Sequence, residues 1–175
     1  MTATLEQRLQ ALEDIEAIKQ LKHRYFLACD NKQPEAIRAC FVDGPMTIDY
    51  GRVGGFDSAD AMVEVYRQLA CAEHIVEMHH GQNPVIELLG PEQARGSWGL
   101  FYLLIDTRQQ RCTQLGGLYQ DEYRKVEGQW KISRTAIEMQ STQILDVSEA
   151  LVRRIFAGRS APAELDDPSA QAGGE

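Results

Sequence analysis

Few residues in this sequence have the chemistry to move a proton. His79 and His80 form its only histidine pair, and histidine is the side chain whose ordinary pKa suits proton transfer near neutrality. They sit in a run, residues 75–81, that reads as a strand, whose alternation sends one imidazole to each face of a sheet. At most one can enter a pocket, where a neighbouring buried carboxylate would make it a general base. Asp30 is a candidate for that carboxylate. It falls at the C-terminal end of a predicted long helix, where the macrodipole disfavours negative charge; an Asp bonding the backbone of a helix–helix turn is the plainer alternative. Tyr25 lies on the apolar stripe of the same helix, so its hydroxyl needs a polar partner inside, whether in a site or in an ordinary core. Glu77 and His79 share a strand face but lack a third ligand at a recognisable spacing, so no metal site is expected. Phosphate-cradling glycine loops, nucleophile elbows and zinc-protease helices have no match, because the clusters at 51–55 and Gly116-Gly117 are wrongly spaced.

Two kinds of element must hold these residues. Leu5, Leu9, Leu12, Ile15, Ile18, Leu21 and Tyr25 recur at helical spacing, which predicts one long amphipathic helix ending near residues 30–32. Pro34 suits the first turn of a second helix, with Ile37, Cys40 and Phe41 on its apolar face and Gly44-Pro45 as its stop. A short strand at 46–50 and a glycine-rich turn at 51–55 come next. A third helix follows, capped by Asp57 or Ser58 and carrying Met62, Val65, Tyr66 and Leu69. Beyond Cys71 the helical period gives way to β-rich runs at 75–81, 85–89, 94–106, 112–125 and 130–144. Asn83-Pro84, Gly90-Pro91, 106–111 and 126–128 are the turns between them. Links this short join antiparallel neighbours, so helices followed by an antiparallel sheet make an α+β fold. Residues 98–105 are apolar on both faces of their strand. Helices can cover one face; a second subunit in a two-fold homodimer is expected over the other, with a returning C-terminal helix at 148–156 as the alternative.

A chain of 175 residues suits one hydrophobic core, which we expect over residues 1–157, with an acidic, disordered tail at 158–175. Its 43% hydrophobic and 25% charged residues exclude collagen-like and wholly disordered classes. A formal net charge of −8 argues against nucleic-acid and membrane-surface partners. The apolar run at 98–105 is far short of the ~18 residues of a spanning helix. No basic region followed by an apolar run opens the chain, so no secretory signal is read. Cysteines standing singly at 29, 40, 71 and 112 suit buried, reduced thiols in a cytoplasmic protein.

The segment Leu12-Glu13-Asp14-Ile15-Glu16-Ala17-Ile18-Lys19-Gln20-Leu21-Lys22, with Tyr25-Phe26 and Asp30 after it, resembles the opening of SnoaL-like proteins of the nuclear transport factor 2 superfamily. The resemblance continues through Met78-His79-His80-Gly81, through Gly96-Ser97-Trp98, and through Gly116-Gly117 followed by Tyr119, Tyr123 and Gly128-Gln129-Trp130, covering most of residues 12–140. It implies a cone-shaped α+β barrel: N-terminal helices packed in a strongly curved antiparallel sheet, with a pocket at the open end. Within the family the likeness is to bile acid 7α-dehydratase and hexachlorocyclohexane dehydrochlorinase, whose catalytic pair is an Asp and a His. The matching motifs put that pair on Asp30 and His79, and a site tyrosine on Tyr25. Tyr102 and Met139 stand where the bile acid enzyme has an acidic residue and an arginine, which argues against a steroid-CoA substrate.

Such a pair implies β-elimination without a cofactor. His79 would remove a proton from carbon, while Asp30 would hold its tautomer and support the imidazolium that forms. Tyr25 would hydrogen-bond the departing hydroxyl or a substrate carbonyl. Tyr50, Tyr102 and Glu138, from strand position, and Trp98 and Tyr119, from the matched motifs, are the expected substrate-binding residues. The substrate would be a small or mid-sized apolar molecule with a leaving group, since no arginine cluster suits phosphate. An isomerase or cyclase could use the same dyad, and the fold also serves non-catalytic ligand-binding or assembly subunits.

Overall fold

The computed structural model of the chain describes residues 4–147. Thr4 caps helix α1, Leu5–Asp30, through a capping box: its hydroxyl accepts the Gln7 N–H while its own N–H donates to the Gln7 side chain. Only the C-terminal part of α1 is covered. Ile18, Leu21, Tyr25, Phe26 and Cys29 are buried, whereas Leu5, Leu9 and Leu12 are exposed, so the apolar stripe outruns the surface it meets. Helical period marks a face; it says nothing of whether another element lies opposite. Asp14 sits where burial begins and ties α1 to the sheet, accepting from Lys125 Nζ at 2.6 Å and Trp130 Nε1 at 2.9 Å. Burial opposes its ionisation, but these donors prevail and its pKa is lowered.

Helix α2, Pro34–Ala39, starts on its proline as expected. Strand β1, Thr47–Asp49, a 3₁₀ turn, Gly51–Val53, and strand β2, Gly55–Phe56, lead to helix α3, Ala59–Leu69, whose cap is Ser58. Four long strands follow: β3, Ile75–Leu88; β4, Gln93–Asp106; β5, Arg111–Val126; and β6, Gln129–Asp146. With β1 and β2 they form a six-stranded sheet in the order β2-β1-β6-β5-β4-β3, curved but not closed. The fold is α+β, an open cone with β2 and β3 at its edges. Consecutive strands from β3 to β6 pair antiparallel, as their short links require, while β1 runs parallel to β6 across the long excursion between them.

Asn83-Pro84 does not separate two strands. β3 runs through the pair with a bulge between Gln82 and Val85, and Asn83 takes φ 50°. β3 is an edge strand, where a proline lacking its N–H breaks no ladder on the open side. Bulges in β6, opposite Gly116/Gly117 and Glu122/Tyr123 of β5, bend the sheet further.

The core fills the concave side, where Ile18, Ile37, Ile48, Trp98 and Ile132 are fully enclosed. Along β4, Trp98 and Leu100 face inward, whereas Phe101 points out and is 42% exposed, with Leu103 and Ile105 half-buried. Cys29 and Cys40 are buried but Cys71 and Cys112 only half so, short of the full burial expected for all four. The expected helix at 148–156 and the tail lie outside the described residues. Among the described residues no helix is long and apolar enough to cross a membrane.

Candidate active site

A cavity of about 250 Å³ lies between α1, α3 and the concave face of the sheet. His79 enters it from β3, and its Nδ1 lies 2.7 Å from Asp30 Oδ1. The His79 backbone N–H also donates to both oxygens of that carboxylate, at 3.0 and 3.2 Å. Asp30 is the last residue of α1, so these donors offset the cost of a negative charge at the wrong end of a helix. With the Nδ1 proton donated to Asp30, a neutral His79 keeps the lone pair of Nε2 for the cavity.

The imidazole is clamped on two sides. Phe26 stacks on it at 5.6 Å with 16° between the planes, and Tyr102 meets it edge-on at 4.7 Å. Phe26 can take that place because residue 81 is glycine: a Cβ on Gly81 would stand 2.3 Å from Phe26 Cε2. His80 is exposed on the opposite face, tilted against Phe101.

Across the cavity, the hydroxyls of Tyr25 and Tyr50 are 2.8 Å apart, so one of their two protons joins them. Tyr119 packs edge-on against Tyr50, and Lys22 Nζ lies 3.7 Å from the centre of the Tyr119 ring. Lys22 is fully buried and forms an ion pair with Asp121 at 2.7 Å; Asp121 also accepts from Tyr123 and Thr135. Burial lowers the Lys22 pKa against the pull of Asp121. Burial likewise raises the pKa of every phenol on the cavity wall, which keeps Tyr25, Tyr50, Tyr66, Tyr102 and Tyr119 protonated as donors.

Asp30, His79, Tyr25, Tyr50, Tyr102 and Tyr119 thus converge at one place, with Asp30 behind the imidazole. Two expected substrate-binding residues do not. Trp98 is completely enclosed away from the cavity, its Nε1 donating to Tyr123 OH at 2.8 Å, so it belongs to the core. Glu138 is exposed, because the alternation of β6 turns Ile137 and Met139 inward and Glu138 out. Glu77 is the cavity residue that sequence reading weighed only as a metal ligand. Its side chain is 9% exposed, and it accepts from Tyr102 OH at 2.7 Å and Lys32 Nζ at 3.2 Å. Its position two residues before His79 on an inward-facing strand was the signal available. Among the described residues no three His, Cys, Asp or Glu side chains cluster so as to hold a metal ion.

A family model described as a SnoaL-like domain matches residues 10–136. The chain belongs to the SnoaL-like family. Solved structures share the fold of this SnoaL-like protein at low identity. A candidate scytalone dehydratase from Novosphingobium aromaticivorans DSM 12444 is similar with a TM-score of 0.71 and 24% identity, over 87% of this chain and 98% of that one. A type 2 hexachlorocyclohexane dehydrochlorinase gives 0.74 and 17%, over 88% and 99%. A type 3 form from Novosphingobium barchaimii LL02 gives 0.71 and 17%, over 79% and 94%.

Proposed function

We propose that this SnoaL-like protein is a cofactor-independent lyase that carries out β-elimination on a neutral, largely apolar substrate, and that it works as a homodimer. The contact that carries the reading is the 2.7 Å bond between Asp30 and His79 at the wall of an apolar cavity. His79 Nε2 takes a proton from the carbon next to a carbonyl, and Asp30 stabilises the imidazolium through Nδ1. The C–H electron pair becomes the new C=C bond as the bond to the leaving hydroxyl breaks. The phenols of Tyr25 and Tyr50 are held protonated, so they donate a hydrogen bond to the substrate oxygen without giving up the proton. The proton on His79 then passes to the leaving hydroxyl, which departs as water, and the base is restored. The dehydratase and dehydrochlorinase likenesses support elimination over proton shuffling within a substrate. Among the described residues no lysine or arginine lines the cavity, which argues against phosphate or carboxylate groups in the substrate.

The test is a mass-spectrometric screen of hydroxy-carbonyl and halogenated compounds for loss of water or hydrogen halide. On a substrate so found, His79→Ala is expected to lower turnover by at least ~10²-fold, the scale of a positioned general base, with Asp30→Asn acting in the same direction. His80→Ala, on the exposed face, should leave it nearly unchanged. Unaltered turnover in His79→Ala would end this reading.

A further inference from the structure

We propose that Tyr102, oriented by Glu77, is a hydrogen-bond acceptor that selects substrates carrying a second, retained hydroxyl, so that the cavity takes neutral apolar molecules with an acceptor at one end and a donor at the other. The inference rests on the reading of this cavity as the substrate site and deepens it. A phenol has one proton to give and lone pairs to offer. The Tyr102 proton goes to Glu77 Oε1, at 2.7 Å. The other carboxylate oxygen is held by Lys32 Nζ at 3.2 Å, and Lys32 is itself anchored on the Ala70 carbonyl at the end of α3. Glu77 therefore cannot turn away to release the Tyr102 proton without giving up the Lys32 ion pair. Burial, with Glu77 beside it, raises the Tyr102 pKa, so the phenol keeps that proton and does not become an anion. What Tyr102 presents to the cavity is its oxygen lone pairs.

The Tyr25–Tyr50 pair has the opposite polarity. Two hydroxyls share one internal bond, which uses one of their two protons. The cavity thus has a donor station on α1 and the loop before the 3₁₀ turn, an acceptor station on β4, and the His79 imidazole packed against the second. Between them the wall is largely aliphatic and aromatic, and among the described residues no lysine or arginine reaches it. A ligand that leaves Tyr102 facing a methyl group or a carbonyl oxygen forfeits a hydrogen bond at a largely buried phenol.

The polarity can be reversed by one atom. In Glu77→Gln the amide oxygen is the one acceptor that residue 77 keeps for Lys32, and holding it there turns the NH₂ group to Tyr102 and frees the phenolic proton for the cavity. The experiment titrates the full chain with 2-naphthol and with 2-methoxynaphthalene, which differ in the presence of a donor, using calorimetry. The unaltered protein is expected to bind 2-naphthol up to about tenfold more tightly, the scale of one hydrogen bond. Tyr102→Phe should bind the two alike, which also removes the greater bulk of the methoxy group as an explanation, and Glu77→Gln should shift the preference toward 2-methoxynaphthalene. Equal binding by the unaltered protein, or an undiminished preference in Tyr102→Phe, overturns the proposal; so does failure of both compounds to bind up to their solubility. If Glu77→Gln does not give a cooperative thermal transition, Tyr102→Phe decides alone. Turnover in His79→Ala tests the elimination reading separately, and its failure would leave this binding comparison standing.

Discussion

At the scale of single residues, the concentration of phenols around one cavity has a consequence that can be measured. The chain has six tyrosines, and burial raises the pKa of each one. In the unfolded chain a tyrosine ionises near 10. Below that pH both states keep their protons and the contribution to stability is complete; above it the unfolded chain loses protons that the fold retains, so stability falls as pH rises. Lys22, whose pKa is lowered by burial, acts in the opposite sense, but it is one group against six. We expect phenolate absorbance to rise in a single cooperative step above pH about 10, together with loss of the far-ultraviolet circular dichroism. Gradual ionisation with the dichroism intact would mean that water reaches these hydroxyls. Which residues form the site was partly legible in the sequence. Asp30 and Tyr25 stand out because each places a polar group where helix end or period makes it costly, and His79 because it belongs to the one histidine pair, in a strand-like run. Glu77 does not, since a lone acid on a strand is ordinarily solvated, and only the tertiary approach of Tyr102 and Lys32 gives it partners. Trp98 matched a motif for its packing, and Glu138 was misplaced by one step of strand alternation.

At the scale of elements, the site depends on how closely α1 approaches the edge strand. Gly81 lies two residues beyond His79 on β3, and its missing side chain admits the Phe26 ring that backs the imidazole. Gly81→Ala must therefore push Phe26 away from the strand, and overpacking of this kind costs about 1–3 kcal/mol. The expected result is a lower midpoint in thermal or urea unfolding together with weaker turnover, because the same displacement loosens His79. Gly81→Ala combined with Phe26→Leu should recover part of the stability, since the clash lies at the far edge of the ring; purely additive losses would place the strain elsewhere. Helices and strands were largely readable, because period and turn chemistry are local. Two features were not. Pro84 looks like a strand break until β3 is known to be an edge, and the exposure of Leu5, Leu9 and Leu12 depends on where the sheet ends, which no helical stripe records.

At the scale of the whole molecule, the two-sided apolar character of residues 98–105 is half accounted for within the protomer. Trp98 and Leu100 are buried inward, while Phe101 is 42% exposed and Leu103 and Ile105 are half-buried on the convex side. A monomer would leave this apolar surface in water one strand in from the edge of the sheet, where a second copy could cover it through a two-fold axis. Light scattering is expected to report about twice 19.7 kDa at micromolar concentration, which an interface of standard size supports. Phe101→Glu should give monomers, because it would bury a charge in the proposed interface. The exposed leucines of α1 are a second apolar surface, and Leu9→Glu separates the two: a dimer that survives Phe101→Glu but dissociates in Leu9→Glu would move the contact from sheet to helix. A mass of one chain at every concentration would show that the convex face stays open, and the apolar outward positions of β4 would then need a different account.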